Sequence, residues 1–177
     1  MDKRKLKKWG IILCVLFVLG VIGTISQSDE SEVETNTTAA EENTAEKSKK
    51  PSMTTDELME YFDTYEKLYV NHLEGISKVA EKNDNLELQK TLANTRDISN
   101  AAHSKIFDIK SGFDSSSNEY KALDELSVAF NSLESACKNG IKYIDKNEYK
   151  YYEKYENDLK QSDLFLQRYM EAKNNIK

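Results

Sequence analysis

Downstream of Pro51, the only proline in the chain, apolar residues recur in alternating steps of three and four, and this spacing constrains the fold more than any other feature. Residues three and four apart share one face of an α-helix, so a sustained alternation describes an apolar stripe that a neighbouring helix must cover. The first stripe is Leu58, Phe62, Tyr65, Tyr69, His72, Ile76 and Val79, and the second is Leu88, Leu92, Thr95, Ser99, Ala102, Ile106 and Ile109. The third is Leu123, Leu126, Phe130, Leu133 and Cys137, with Ile141 and Ile144 available to extend it past Asn139-Gly140. The fourth is Tyr152, Tyr155, Leu159, Ser162, Leu166 and Tyr169.

A helix-start signal accompanies each stripe: Thr54 with Glu57, Asp84 with Glu87, Ser116 with Glu119, and Asp145 with Glu148. In each pair the first side chain can accept from the free amide three residues on, and the Glu can reach back to the cap's own amide. Met53 with Leu58 and Ile144 with Tyr149 are spaced to staple two of these caps. Gly112, after Ser111, is expected to close the second helix in the left-handed conformation. Helices of about 25 residues are roughly 40 Å long, and connections this short make neighbours antiparallel. The pattern predicts an all-α domain over residues 54–177, an antiparallel up-down-up-down four-helix bundle. Six Gly and one Pro are too few for the turns and phosphate loops of sandwiches, barrels or Rossmann-type folds.

Folding the second helix back on the first sets Thr95, Ser99 and Ala102 against His72, Tyr69 and Tyr65. Small residues then face large ones, and Thr95 or Ser99 is placed to satisfy the His72 imidazole or a Tyr hydroxyl.

The N-terminus reads differently. Residues 1–8 carry Lys3, Arg4, Lys5, Lys7 and Lys8 against Asp2, and residues 9–25, from Trp9 to Ile25, carry no charge. Seventeen helical residues are about 26 Å long, enough to cross a bilayer core at its short limit. The basic cluster keeps residues 1–8 cytoplasmic and sends the rest of the chain outside. A cleaved signal peptide is the competing reading, but neither Val21-Ile22-Gly23 nor Thr24-Ile25-Ser26 is an Ala-x-Ala site, so we read an anchor. A lipidated Cys14 is disfavoured because it sits early in the apolar run.

Residues 26–53 are rich in Glu, Thr, Asn and Ser and cannot bury a core, so they are expected to be a flexible acidic linker with an r.m.s. span of about 30 Å. Asn36-Thr37-Thr38 matches a glycosylation sequon, which matters only in a eukaryotic source.

With 25 Lys+Arg against 31 Asp+Glu, the net charge of -6, with no basic face outside the first eight residues, argues against a protein that holds nucleic acid through such a face. Cys137 and His72 fall about one layer apart in the bundle and are the one candidate nucleophile and base, a thiol-hydrolase reading. No third orienting residue and no Gly-rich turn accompany them, so both are expected to be core residues. Glu-x-x-His is absent, since Tyr69 stands three before His72 and Asn100 three before His103; no metal site and no cofactor are expected.

Ten Tyr are the compositional excess. Tyr143 and Tyr151 fall off the stripe centres, beside Lys142, Lys146 and Lys150, around the turn expected at Asn139–Asp145. That turn and the one at Asn83–Asn85 are expected at the end of the bundle far from the membrane, with the Ser111–Asn118 loop at the near end. Aromatic residues ringed by polar groups suit partner recognition. The alternative, which takes precedence, packs Tyr143 onto the hairpin and leaves Tyr151 at a seam edge. The functional expectation is a non-enzymatic, membrane-anchored extracytoplasmic binding module for a protein or cell-envelope partner, with an exclusion or immunity factor as one version. The lipid bilayer is a partner through residues 9–25. A secreted or wall-associated structural protein is the alternative, and the Lys- and Asn-rich composition, single anchor and low Cys content look bacterial.

Overall fold

The computed structural model describes residues 53–176; the basic segment 1–8, the anchor 9–25 and all but the end of the linker 26–53 lie outside the described residues. Within the described residues the chain is all-α, with four helices and no strand: α1 (Thr55–Glu81), α2 (Asn85–Lys110), α3 (Asn118–Lys146) and α4 (Tyr149–Asn174). None of these helices is long and apolar enough to cross a membrane.

Cross-helix bonds pair early residues with late ones, so each helix runs antiparallel to the next. His72 Nδ1 lies 3.2 Å from Thr95 Oγ1 between α1 and α2. Between α2 and α3, Gln89 Nε2 donates to Asp145 Oδ1 at 2.5 Å and Lys110 Nζ to Asp124 Oδ1 at 2.5 Å. Asn139 Nδ2 donates to Asp158 Oδ2 at 2.7 Å between α3 and α4. The bundle closes between α4 and α1, where Lys173 Nζ donates to Asp63 Oδ1 at 3.1 Å and to Glu66 Oε1 at 2.7 Å.

The core follows the stripes except near the C-terminal ends of α1 and α2, where Leu73, Ala80 and Lys110 are buried and the expected His72, Val79 and Ile109 are only partly so. Leu58, Phe62, Tyr69 and Ile76 of α1, Leu92, Thr95, Ser99 and Ile106 of α2, and Tyr155, Leu159, Ser162 and Tyr169 of α4 are buried. On α3 the buried surface is wider and repeats every seven residues, as Leu123, Phe130 and Cys137, as Leu126, Leu133 and Gly140, and as Ala122, Ala129 and Ala136. A strict seven-residue repeat keeps one side of a helix facing its partners over its whole length. The backbones of α3 and α4 approach most closely, those of α2 and α3 next, and α1 stands farther off.

The helix ends show where local signals compete. Thr54 forms the full capping box with Glu57, and Asp84 accepts from the amides of Leu86 and Glu87. The third cap is Ser117, not Ser116. Asp114 Oδ1 accepts from the Ser116 amide at 2.8 Å and its hydroxyl at 2.6 Å, so Ser116 is consumed by the turn and Ser117 accepts from Tyr120 N. The fourth expected cap also fails. Gly140 and Tyr143 keep α3 in the core, Asp145 stays in the helix, and α4 begins after Glu148, whose side chain makes no capping bond. The turn expected at Asn139–Asp145 is therefore helix, and the reversal occurs at Asn147-Glu148; the Ile144–Tyr149 staple has no Asp145 cap to span.

No described glycine has a positive φ, which corrects the role expected of Gly112. The left-handed positions are Asn83 (φ 58°) and Asn147 (φ 52°), one in each short reversal, where Asn tolerates a conformation that larger side chains avoid. Gly140 serves close approach instead: a Cβ there would sit 3.1 Å from both Leu92 Cδ1 and Tyr155 Cδ2.

Candidate functional site

The residues singled out around the α3–α4 reversal do not act as one group. Lys142 and Lys146, one helical turn apart, share the outer face of α3, while Tyr143 is rotated about 100° from Lys142 and turns inward. Tyr143 is buried, with its ring centroid 5.5 Å from that of Tyr152. Tyr149, the half-exposed first residue of α4, lies 5.6 Å from the same Tyr152 ring. Burial raises the Tyr143 phenol above its ordinary value. Tyr143 thus packs the hairpin, the arrangement given precedence above.

Tyr151 sits at the surface edge of α4 inside a ring of ammonium groups. The Nζ atoms of Lys150, Lys146 and Lys142 lie 5.0, 5.3 and 5.9 Å from its ring centroid. Lys146 Nζ also donates to the Tyr151 hydroxyl at 3.4 Å. The negative face of the ring attracts cations, weakly at an exposed site such as this one. Lys150 pairs with Glu148 at 2.5 Å, and that hydrogen bond holds the Glu148 carboxyl below its usual range and raises the Lys150 ammonium. Glu148 was not foreseen as a member of this cluster, because it was assigned to a capping box.

The Cys137 and His72 pair is taken up by packing. Cys137 is fully buried and burial pushes its thiol well above the ordinary value, the reverse of what a nucleophilic thiolate needs. His72 bonds Thr95, as the fold-back geometry predicted, and burial lowers its pKa. The Tyr69 hydroxyl finds its partner on α4 instead of α2. Ser162 Oγ donates to the Ala129 carbonyl at 2.6 Å, so its contact with Tyr69 at 2.5 Å is a bond donated by Tyr69. One polar chain thus joins α1, α4 and α3. His103 Nδ1 lies 3.0 Å from Ser127 O and 2.9 Å from Ser127 Oγ, a bond between α2 and α3.

Two further features escaped the sequence reading. Lys110 is buried, with its ammonium on Asp124 and 4.5 and 5.1 Å from the Phe107 and Tyr120 rings. On the α1–α4 side, Tyr169 donates to Glu66, which also takes Lys173, beside a shallow cleft of about 250 Å³ walled by Tyr69, Val70, Leu166 and Met170. The spacings Asp63–Glu66 and Tyr169–Lys173 were visible, but their partnership depends on the α1–α4 register. Among the described residues no group of three His, Cys, Asp or Glu side chains is arranged to hold a metal. Comparisons with protein-family models, curated proteins and solved structures return no match.

Proposed function

We propose that this chain is a membrane-anchored, extracytoplasmic binding module without catalytic chemistry, which presents the α3–α4 reversal to a protein or cell-envelope partner. Residues 9–25 are the anchor, 26–53 the tether, and 54–177 an up-down-up-down bundle with residues 1–8 cytoplasmic. The observation that carries this reading is the partition of the reactive side chains. Cys137, His72, Tyr69 and Ser162 are spent on core packing and interhelix bonds, whereas Lys142, Lys146, Lys150 and Tyr151 converge at a surface. In this arrangement Thr55 and the Ser111–Asn118 loop are nearer the membrane, and the Asn147-Glu148 reversal projects about 40 Å away, one helix length.

Protease treatment of intact cells, with mass spectrometry of the mature chain, tests the reading. The expected result is digestion of residues 54–177 from outside and a membrane-retained fragment containing residues 9–25. A mature chain beginning near Thr24 or Gln27 and released to the medium supports the secreted alternative; protection of the bundle in intact cells contradicts both.

A further inference from the structure

The cluster around Tyr151 has a chemistry of its own, in a chain whose net charge is -6. Three ammonium groups are held within 6 Å of one ring centre. Among the described residues, Lys150 is paired with Glu148, while no carboxylate lies within salt-bridge distance of Lys142 or Lys146. Gathered like charges repel, and an anion bound between them removes that cost. The Tyr151 hydroxyl accepts from Lys146 and keeps its own proton to donate.

We infer that Lys142, Lys146, Lys150 and the Tyr151 hydroxyl form a binding site for the phosphoryl groups of an anionic envelope polymer. Phosphate offers several charged oxygens around one centre, which suits point-charge ammonium groups arriving from different directions. A carboxylate offers two coplanar oxygens, better matched by the planar fork of Arg, and the cluster contains no Arg. Lys154 stands four residues after Lys150, about 6 Å further along α4, so the cations continue down that helix, suited to a ligand with repeated charges, whereas Lys138, four before Lys142, is held by Glu134 at 2.7 Å. The choice of a polymer over a lipid headgroup rests on the function proposed above, in which the reversal lies a helix length from the anchoring membrane. Glu148 is then an internal competitor, seated on Lys150 until the ligand displaces it.

The test is binding of fluorescent polyphosphate to the full chain in non-ionic detergent at low salt, with inorganic phosphate, polyglutamate and phosphatidylglycerol-containing mixed micelles as competitors. The expected result is binding that weakens with added salt and is displaced by phosphate more effectively than by polyglutamate at equal charge. Lys142→Gln with Lys146→Gln should weaken binding at least about tenfold, Tyr151→Phe about two- to threefold, and Glu148→Gln should strengthen it about two- to threefold, as estimated from the worth of charge-assisted bonds. All of these side chains but that of Tyr151, which keeps its ring, are exposed, so the melting temperature should hold. Lys105→Gln with Lys160→Gln, on other exposed faces, should leave binding unchanged. Equal displacement by polyglutamate, an equal loss in the control pair, or no gain from Glu148→Gln overturns the site, and preferential displacement by phosphatidylglycerol micelles overturns the polymer in favour of a membrane surface. These results do not depend on topology, so failure here leaves the anchored-module reading to the protease experiment.

Discussion

Helices α3 and α1 both bury one side along most of their length, α3 the wider one, but they are held by different means. On α3, Ala122, Ala129, Ala136 and Gly140 remove the bulk that keeps helices apart, and its flanking helices approach closely: a Cβ at Gly140 would lie only 3.1 Å from Leu92 and Tyr155. Helix α1 stands off and reaches the others with large rings. Phe62 meets Tyr169 edge-on at 5.2 Å, and Tyr65 and Tyr69 meet Phe130 at 5.8 and 5.4 Å. Close-packed small residues make α3 and α4 one stiff hairpin, and that hairpin carries the Tyr151 cluster. A site on such a hairpin keeps its geometry, while α1, which follows the proposed tether, can yield without disturbing it.

The comparison can be broken most forcefully at Phe130, the one α3 residue that receives two α1 rings. Phe130→Ala should cost about 3–5 kcal/mol, the usual cost of emptying a buried aromatic site, measured by denaturant unfolding of the full chain in detergent. A loss below about 1 kcal/mol would mean that α1 does not depend on this contact.

Overfilling the tight side should cost less. Gly140→Val places carbon where Leu92 and Tyr155 already approach 3.1 Å, and overpacking of this kind costs about 1–3 kcal/mol. Gly140→Ala should be nearer neutral, because the gain in helix propensity of roughly 1 kcal/mol offsets the crowding. A stabilised Val variant would show that the α3 seam has slack.

Removing a single hydroxyl sharpens the contrast further. Tyr69→Phe deletes the bond to Ser162 and leaves Ser162 on the Ala129 carbonyl, so the loss should be about 1 kcal/mol. Amide exchange should quicken in α1 and remain unchanged in α3.

The smallest expected effect is a pH dependence at the α1–α2 contact. Burial lowers the folded-state pKa of His72 below its ordinary 6.5, so the unfolded chain takes up the proton first on acidification. The stability linked to neutral His72 is present above pH 6.5 and lost as pH falls through and below that value. His72→Gln should flatten the slope of melting temperature between about pH 7 and 5. An unchanged slope assigns the dependence to other groups.

The four stripes were legible because each helix buries one side, so periodicity alone recovered Leu123, Phe130 and Cys137 or Tyr152, Tyr155 and Leu159 as core. Side-chain satisfaction was legible where sequence separation fixed the register, as with His72 and Thr95 across a short reversal. It was not legible between α1 and α4, whose register is set by everything between them; hence the Tyr69–Ser162 and Glu66–Tyr169 bonds were missed. Cap identity failed where two start signals overlapped, at Ser116-Ser117, and where tertiary burial of Tyr143 extended α3 past Asp145. That extension moved the reversal to Asn147 and separated Tyr143 from Tyr151, so half of the expected recognition pair became core and the other half kept its lysines.

Native-state hydrogen exchange on the full chain in detergent tests the difference between α1 and α3 most directly. Amides of the buried middle of α3, from Leu126 to Cys137, should exchange only through global unfolding. Those of the Phe62 to Ile76 stretch of α1 should exchange through a smaller opening that leaves α2, α3 and α4 protected, easier by at least about 1.4 kcal/mol, a factor of ten. Equal protection of the two stretches, or earlier opening of α3, would contradict the account.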